Sequence, residues 1–328
     1  MRSNYPSGFS TGITVRGLPL SVSHPGEIFW VNNSTTAAQL AKGAVGGSNG
    51  NDGSYRRPWS TIDYAIGRCS AGRGDIIMVM PNHAESITAA AGITLDVNGV
   101  AIIGLGTGNN RPTLTYTTAN TATLSWTADQ CTMKNIRFVG NFLSIATAII
   151  NDGGRDWTVE DCDFSDTSAI LGFLACVTTT VSTNSDNGYF AGCTRSSDAT
   201  TTPGTAIKVA NTTNRLTIRN NTFWHSVVEE NIAVILDHGA LVVDELLMEN
   251  NNVYSINIAQ TTEGMLIKTS ATTGSGIIRN NLVRSNDPSA FIMVTATAIQ
   301  YGMFENYHTG ETTLLSGLIL PAVATDSS

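Results

Sequence analysis

One short motif returns seven times in the later two-thirds of the chain, and it restricts the fold more than any other feature. The segments CTMKNIRF (131–138), WTVEDCDF (157–164), GYFAGCTR (188–195), LTIRNNTF (216–223), LLMENNNV (246–253), GIIRNNLV (276–283) and GMFENYHT (302–309) share the template apolar-x-apolar-x-Asn-x-x-apolar, some loosely. Its fifth position falls at Asn135, Asp161, Gly192, Asn220, Asn250, Asn280 and Asn306, in steps of 26, 31, 28, 30, 30 and 26 residues. A further copy, AIIGLGTG (101–108), lies about one step upstream.

Each copy reads as a short alternating strand, a polar bend and a second short strand. A period near 28 residues with no helical pattern between copies is the signature of a solenoid of stacked strands. Leucine-rich repeats have a similar period, but their LxxLxL pattern is missing. Ankyrin and tetratricopeptide arrays need amphipathic helices, and this composition disfavours them. Charged residues make up 13% of the chain, against about 25% in ordinary globular domains, and 43 threonines and 28 asparagines take their place. Those residues favour strands and turns over helix. The expected fold class is therefore all-β: a right-handed, single-stranded parallel β-helix.

Stacking places equal template positions about 4.8 Å apart on successive rungs. Asn220, Asn250 and Asn280 are accordingly expected to form a structural ladder that satisfies bend polarity rung by rung. Phe138, Phe164, Phe223, Val253 and Val283 form a core column. Cys162 and Cys193 share a template position on neighbouring rungs, where a disulfide is geometrically accessible; two stacked interior thiols is the simpler reading. The five cysteines are odd in number and lack zinc-ligand spacing, so neither a disulfide framework nor a metal site is expected.

A solenoid needs its open apolar end covered. Ser60-Thr61-Ile62-Asp63 resembles a capping box, and Ile62, Ala65, Ile66 and Cys69 follow at helical spacing, predicting a capping helix over about 59–70. The domain layout expected is an extended N-terminal arm (1–33), a Gly/Ser/Asn-rich connector (34–58), the β-helix (59–310) and a C-terminal cap or tail (311–328). The arm carries scattered hydrophobes without sustained period, too apolar for a disordered tail and too short for its own core. Packing against another surface, its own solenoid or another subunit, is the remaining use for it.

The stretch GSNGNDGSYRRPWSTIDYAIGRCSAGRGDIIMVMPNHAESI (47–87) resembles the opening of right-handed parallel β-helix proteins of the pectate-lyase-like superfamily. There a GxDGxDG-type loop leads to a capping helix and a first rung of the GDxIxVxP kind. The whole layout, a GFSTGITVRGLPL…HPGEIFWV arm before one compact β-helix, is similar to virion structural proteins of tailed bacteriophages. Within that class it is most like a capsid decoration, or cement, protein. It departs from phage tailspikes in lacking a large N-terminal particle-binding domain and a C-terminal trimerisation or chaperone domain.

Superfamily lyases need clustered aspartates for Ca²⁺ and a base, and hydrolases need carboxylates about 5–10 Å apart. Glu160, Asp161, Asp163 and Asp166 are the densest acidic cluster, and alternation puts Asp161 and Asp163, the weak catalytic candidates, on one strand face. The next rung offers Gly192 and Arg195 instead, so a solvated or bend role is expected. Glu229-Glu230 with Asp237-His238 lies among apolar core runs and reads as a satisfied turn. His83 reads as a surface loop residue. GLGTGNN (104–110) lacks the Lys-Ser/Thr of a phosphate loop and any following helix, so it reads as a turn. Of the five tryptophans, Trp157 and Trp59 belong to core and cap, leaving a weak sugar platform.

The resemblance thus implies a non-enzymatic virion structural protein that stabilises a phage capsid through its arm and an oligomeric body. Phe9, Ile13, Val15, Leu18, Phe29 and Trp30 are the expected capsid or partner-binding anchors, because large apolar residues dominate interface energy. The partners it implies are the major capsid protein, other virion subunits and copies of itself; the homotrimer follows from the resemblance alone. The alternative is a tailspike or receptor-binding protein that binds or cleaves host polysaccharide, and a host-encoded polysaccharide lyase is a third reading. No cofactor is expected. The net charge of −8 disfavours nucleic acid and anionic membranes. No apolar run of membrane-spanning length and no leader-like N-terminus are seen. Synthesis in the host cytoplasm and residence on the capsid surface are the expected location.

Overall fold

The computed structural model describes residues 14–15, 18–19, 26–36, 40, 43–168, 170–180, 185–197, 204–225, 233–255, 264–269, 271, 273–284, 293–294, 300–309 and 317–319. The chain coils through three parallel sheets. The first sheet stacks ten strands, from Ile28–Val31 and Ile76–Val79 through Thr132–Lys134 to Gln300–Phe304. The second runs from Ala84–Ile87 to Asn306–Thr309, and the third from Ile93–Leu95 to Met293–Val294. Each strand pairs with the strand one coil away, so the fold is a parallel β-helix. Among the described residues the α-helix is confined to Ile62–Ile66.

Alternation explains the layers. In Ile76–Val79, Ile77 and Val79 are buried while Ile76 and Met78 face outward. The interior of the second sheet stacks Leu114, Phe138, Phe164, Arg195, Phe223, Val253 and Val283 in register. Phe138 and Phe164 lie nearly parallel with ring centroids 4.6 Å apart, the offset contact aromatic rings prefer. Trp126 and Trp157 are buried, and their indole N–H groups donate to the carbonyls of Ala128 and Ser185.

The bends correct the expected ladder. Asn135, Asp161, Gly192, Asn220, Asn250 and Asn280 all take positive φ, between 53° and 64°. Asn tolerates the left-handed region, and glycine enters it freely at Gly192. A residue so turned sends its side chain outward; Asn220, Asn250 and Asn280 are exposed, and the next residue points inward. The buried ladder is therefore Asn221, Asn251, Asn281 and Asn306, one position later. Asn251 Nδ2 donates to Asn281 Oδ1 at 2.9 Å and to the Ile218 carbonyl at 3.0 Å. Asn251 Oδ1 accepts from both the backbone N–H and the side-chain amide of Asn221. Asn306 belongs to this inward series, because Glu305 takes the bend conformation in its coil. Cys193 and Cys162 occupy the same inward position one and two coils before Asn221. Both are free thiols pointing at carbonyls of the preceding coil, Val159 and Met133.

The cap is shorter than the expected 59–70. Thr61 is extended and its hydroxyl accepts from the Tyr64 N–H, making it the N-cap of Ile62–Ile66. Ser60 is held elsewhere, by Asn49. Ile62, Ala65 and Ile66 seal the interior. The sequence puts residues 1–33 in one arm, yet Ile28–Val31 pairs with Ile76–Val79 and is the first strand of the first sheet. Asp75 fastens this junction: its buried carboxylate accepts from the Glu27 and Ser70 N–H groups and from Arg73. At the other end Gly317–Ile319 pairs antiparallel with Asn306–Thr309.

Candidate functional site

Two surfaces carry the residues singled out from sequence. The first is a groove along the bend between the first and second sheets, about 440 Å³, bordered by Ile103, Arg111, Lys134, Asn135, Asp161 and Thr194. Asp161 and Asp163 do not share a strand face. Asp161 occupies the left-handed bend at φ 53°, which breaks the alternation, and Asp163 begins the outward edge of Asp163–Asp166.

Each carboxylate of this cluster is held by a base. Lys134 Nζ lies 2.7 Å from Glu160 and 3.2 Å from Asp161. Arg137 Nε donates to Asp163 at 2.9 Å, and the Thr194 hydroxyl donates to its other oxygen. The hydrogen bond to Glu160 raises the Lys134 pKa, so its amine keeps its proton more firmly than a free lysine. A general base must give up its proton near the working pH; Lys134 is moved the opposite way. Asp166 is buried and faces the equally buried Arg195 at 3.6 Å, while accepting from the Phe173 N–H and the Ser197 hydroxyl. Burial disfavours the Arg195 charge, but the Asp166 carboxylate and the Cys176 sulfur together outweigh it and the guanidinium stays protonated. Arg195 also donates to the Phe173 carbonyl at 2.6 Å. This pair ties a strand to the neighbouring coil.

The remaining candidates have structural partners. His83, expected on the surface, is buried: Nδ1 accepts from the Asn33 N–H and Nε2 faces Glu85 at 3.1 Å. Glu85 also accepts from the Ile62 N–H, so the His83 bend is wired to the capping helix. His238 is buried with Nδ1 2.7 Å from the Leu241 carbonyl, and burial lowers its pKa. Glu229 and Glu230 lie outside the described residues. The GLGTGNN segment is a strand end and a 3₁₀ turn, Gly108–Asn110. Among the described residues no group of three or more His, Cys, Asp or Glu side chains is arranged to hold a metal ion. No helix there is long and apolar enough to cross a membrane.

The second surface is the outer face of the first sheet at its N-terminal end. One outward column begins Trp30, Met78, Ile103 and continues Lys134, Glu160, Ala191, Arg219, Glu249, Arg279, Phe304. Its companion begins Ile28, Ile76, Ala101, continues Thr132, Thr158, Tyr189, Thr217 and turns apolar again at Leu247 and Ile277. The first three coils thus present six apolar side chains and no charge. Ile28 is half exposed. Trp30 is held on edge by the exposed Tyr55, ring centroids 4.8 Å apart. Phe29 turns inward and packs on Trp59 at 4.9 Å. Val15 and Leu18 pair in a short antiparallel hairpin, and Phe9 and Ile13 lie outside the described residues. Sequence reasoning found Trp30 but missed Met78 and Ile103, although the alternation of IIMVM and AIIG marks both as outward.

The class this fold defines is a three-sheet parallel β-helix. No family model matches the chain, and no curated protein matches it in sequence. Among solved structures it is similar to a rhamnogalacturonan lyase (11% identity, TM-score 0.45, covering 79% of this chain and 69% of that one). A pectin methylesterase from Aspergillus niger matches at 16% identity and TM-score 0.46, over 88% of this chain and 94% of that one. A pectate lyase matches at 12% identity and TM-score 0.37, over 82% and 78%.

Proposed function

We propose that this chain is a non-enzymatic structural component of a phage virion, a decoration protein that joins the capsid through its N-terminal segment and the outer face of its first three coils. The observation that carries the reading is the change of chemistry within one column: Trp30, Met78 and Ile103 occupy the geometry that Lys134, Glu160 and Arg219 occupy further on. A solvated sheet face needs no such apolar run, and contiguous exposed apolar surface marks interaction sites. The ion-paired carboxylates of the groove fit a non-catalytic role. Trimerisation would add avidity at symmetry-related capsid sites.

The test is co-sedimentation with capsids lacking the protein. The full chain should pellet with the particles, whereas Met78→Glu and a chain lacking residues 1–25 should remain folded and soluble. Parent-level capsid association by both, or turnover of polysaccharide that is abolished in Asp161→Ala, would overturn the reading.

A further inference from the structure

The outer face of the second sheet carries a different surface, away from the first three coils. Its outward column runs Val139, Ser165, Ser196, Trp224, Tyr254, Arg284. Trp224 is 48% exposed, the most exposed tryptophan among the described residues. Its ring lies 4.9 Å from that of Tyr254 at an interplanar angle of 29°. Nearly parallel rings this close cannot lie side by side, so they stack, with their faces directed along the solenoid axis. Tyr254 covers one face of the indole. The other looks over Ser196 and Ser165, two small side chains on the two preceding coils. Together they leave a notch about two strand spacings, roughly 10 Å, long.

The rim of the notch is polar and balanced in charge. Beside Ser196 on its strand stands Thr194, whose hydroxyl donates to Asp163; the other oxygen of Asp163 accepts from Arg137. On the Ser196 and Ser165 side one guanidinium and one carboxylate cancel, so the rim there offers hydroxyl, carboxylate and N–H groups without net charge. An aromatic face is electron-rich and attracts polarised C–H groups. A ligand matched to this surface has a flat C–H face for the indole and a ring of hydroxyls for the rim. A pyranose has both. Nucleotides also stack on aromatic faces, but their phosphates need uncompensated cations; Arg137 is already paired, and the exposed Arg284 stands beyond Tyr254, on the side of the stack away from the notch.

We infer that the Trp224 notch is a binding site for a neutral hexopyranose unit of a glycan, a second binding function independent of the capsid contact. Trp224 supplies the stacking platform, Tyr254 holds it upright, and Thr194 and Asp163 read the sugar hydroxyls.

The test titrates the full chain with maltohexaose, cellohexaose, oligogalacturonate and an oligo(dT) of similar length, following tryptophan fluorescence and calorimetry. At least one neutral hexaose should bind with Kd near or below about 1 mM. Its affinity should fall at least about tenfold in Trp224→Ala, remain unchanged in Trp30→Ala and be insensitive to salt. Circular dichroism of Trp224→Ala should match the parent, because the side chain is not part of the core. Absence of neutral-sugar binding, equal binding by Trp224→Ala, or salt-sensitive binding confined to oligogalacturonate or oligo(dT) would overturn the inference. Capsid co-sedimentation by Trp224→Ala should be unaffected, so failure here leaves the capsid reading separately testable.

Discussion

The first three coils and the last four are built on the same geometry but handle polar groups differently. In the last four, polar groups are settled internally: Asn221, Asn251, Asn281 and Asn306 bond to one another inside the bend, and Arg279 grips Glu249 outside. In the first three, the interior is sealed by a helix and the exterior is left apolar at Trp30, Met78 and Ile103. The last four coils settle buried polar groups within the bend, although Ile277, Phe304 and Tyr307 are exposed there, whereas the first three present an outward face of the first sheet without charge. Stability and assembly should therefore respond to different residues.

The largest stability effect is expected where the two halves meet, at Arg195. It fills a slot that is phenylalanine in the flanking coils, and its removal strands Asp166 in the interior. Breaking one side of a buried pair costs about 3–5 kcal/mol, so Arg195→Ala should show a loss of that order in urea unfolding. Arg195→Met with Asp166→Leu should recover much of it; failure to recover would show that Arg195 acts through more than the pair.

Next comes the amide ladder. Asn251→Ala leaves Asn221 and Asn281 each short of a buried partner, an expected cost of about 2–3 kcal/mol. Cys193→Ala, at the equivalent inward position, removes only a thiol and should cost about 1 kcal/mol. Equal losses in the two variants would erase the distinction between amide and thiol coils.

A smaller effect is expected at Asp75, which ties the first strand to the cap. Its hydrogen bonds with Arg73 and the Ser70 and Glu27 N–H groups overcome burial and hold its pKa below the ordinary 3.8. A depressed carboxylate stabilises the fold fully above the unfolded-state value, and that contribution is lost as pH falls below 3.8 toward the folded-state value. Asp75→Asn should lower stability at neutral pH by about 1.5–2 kcal/mol and flatten the acid limb of the stability profile. A variant with the parent's acid limb would assign that pH dependence to other groups.

The fold was largely legible because a period near 28 residues and strict alternation are direct consequences of stacking strands. The ladder was misplaced by one residue for a physical reason: in the Asn-Asn pairs the first residue spends its conformational tolerance on the left-handed bend, and only the second points inward. Asp161 and Asp163 were paired for the same reason, since alternation was carried across a bend that breaks it. His83 looked like a loop residue because its partners, Asn33 and Glu85, include one 50 residues away. The Trp224–Tyr254 stack joins residues 30 apart and becomes visible once strand register is known. Contacts along a strand could be read from the chain; contacts between coils needed the register.

The account rests most heavily on the contrast within one outward column, and Met78→Glu tests it directly. This substitution puts into the apolar end the kind of residue that Glu160 and Glu249 already are further along. At a half-buried outward position it should change unfolding free energy by no more than about 1 kcal/mol. The account predicts that Met78→Glu stays folded but no longer co-sediments with capsids, while Arg219→Glu in the same column still does. Capsid association by Met78→Glu at the parent level would contradict it.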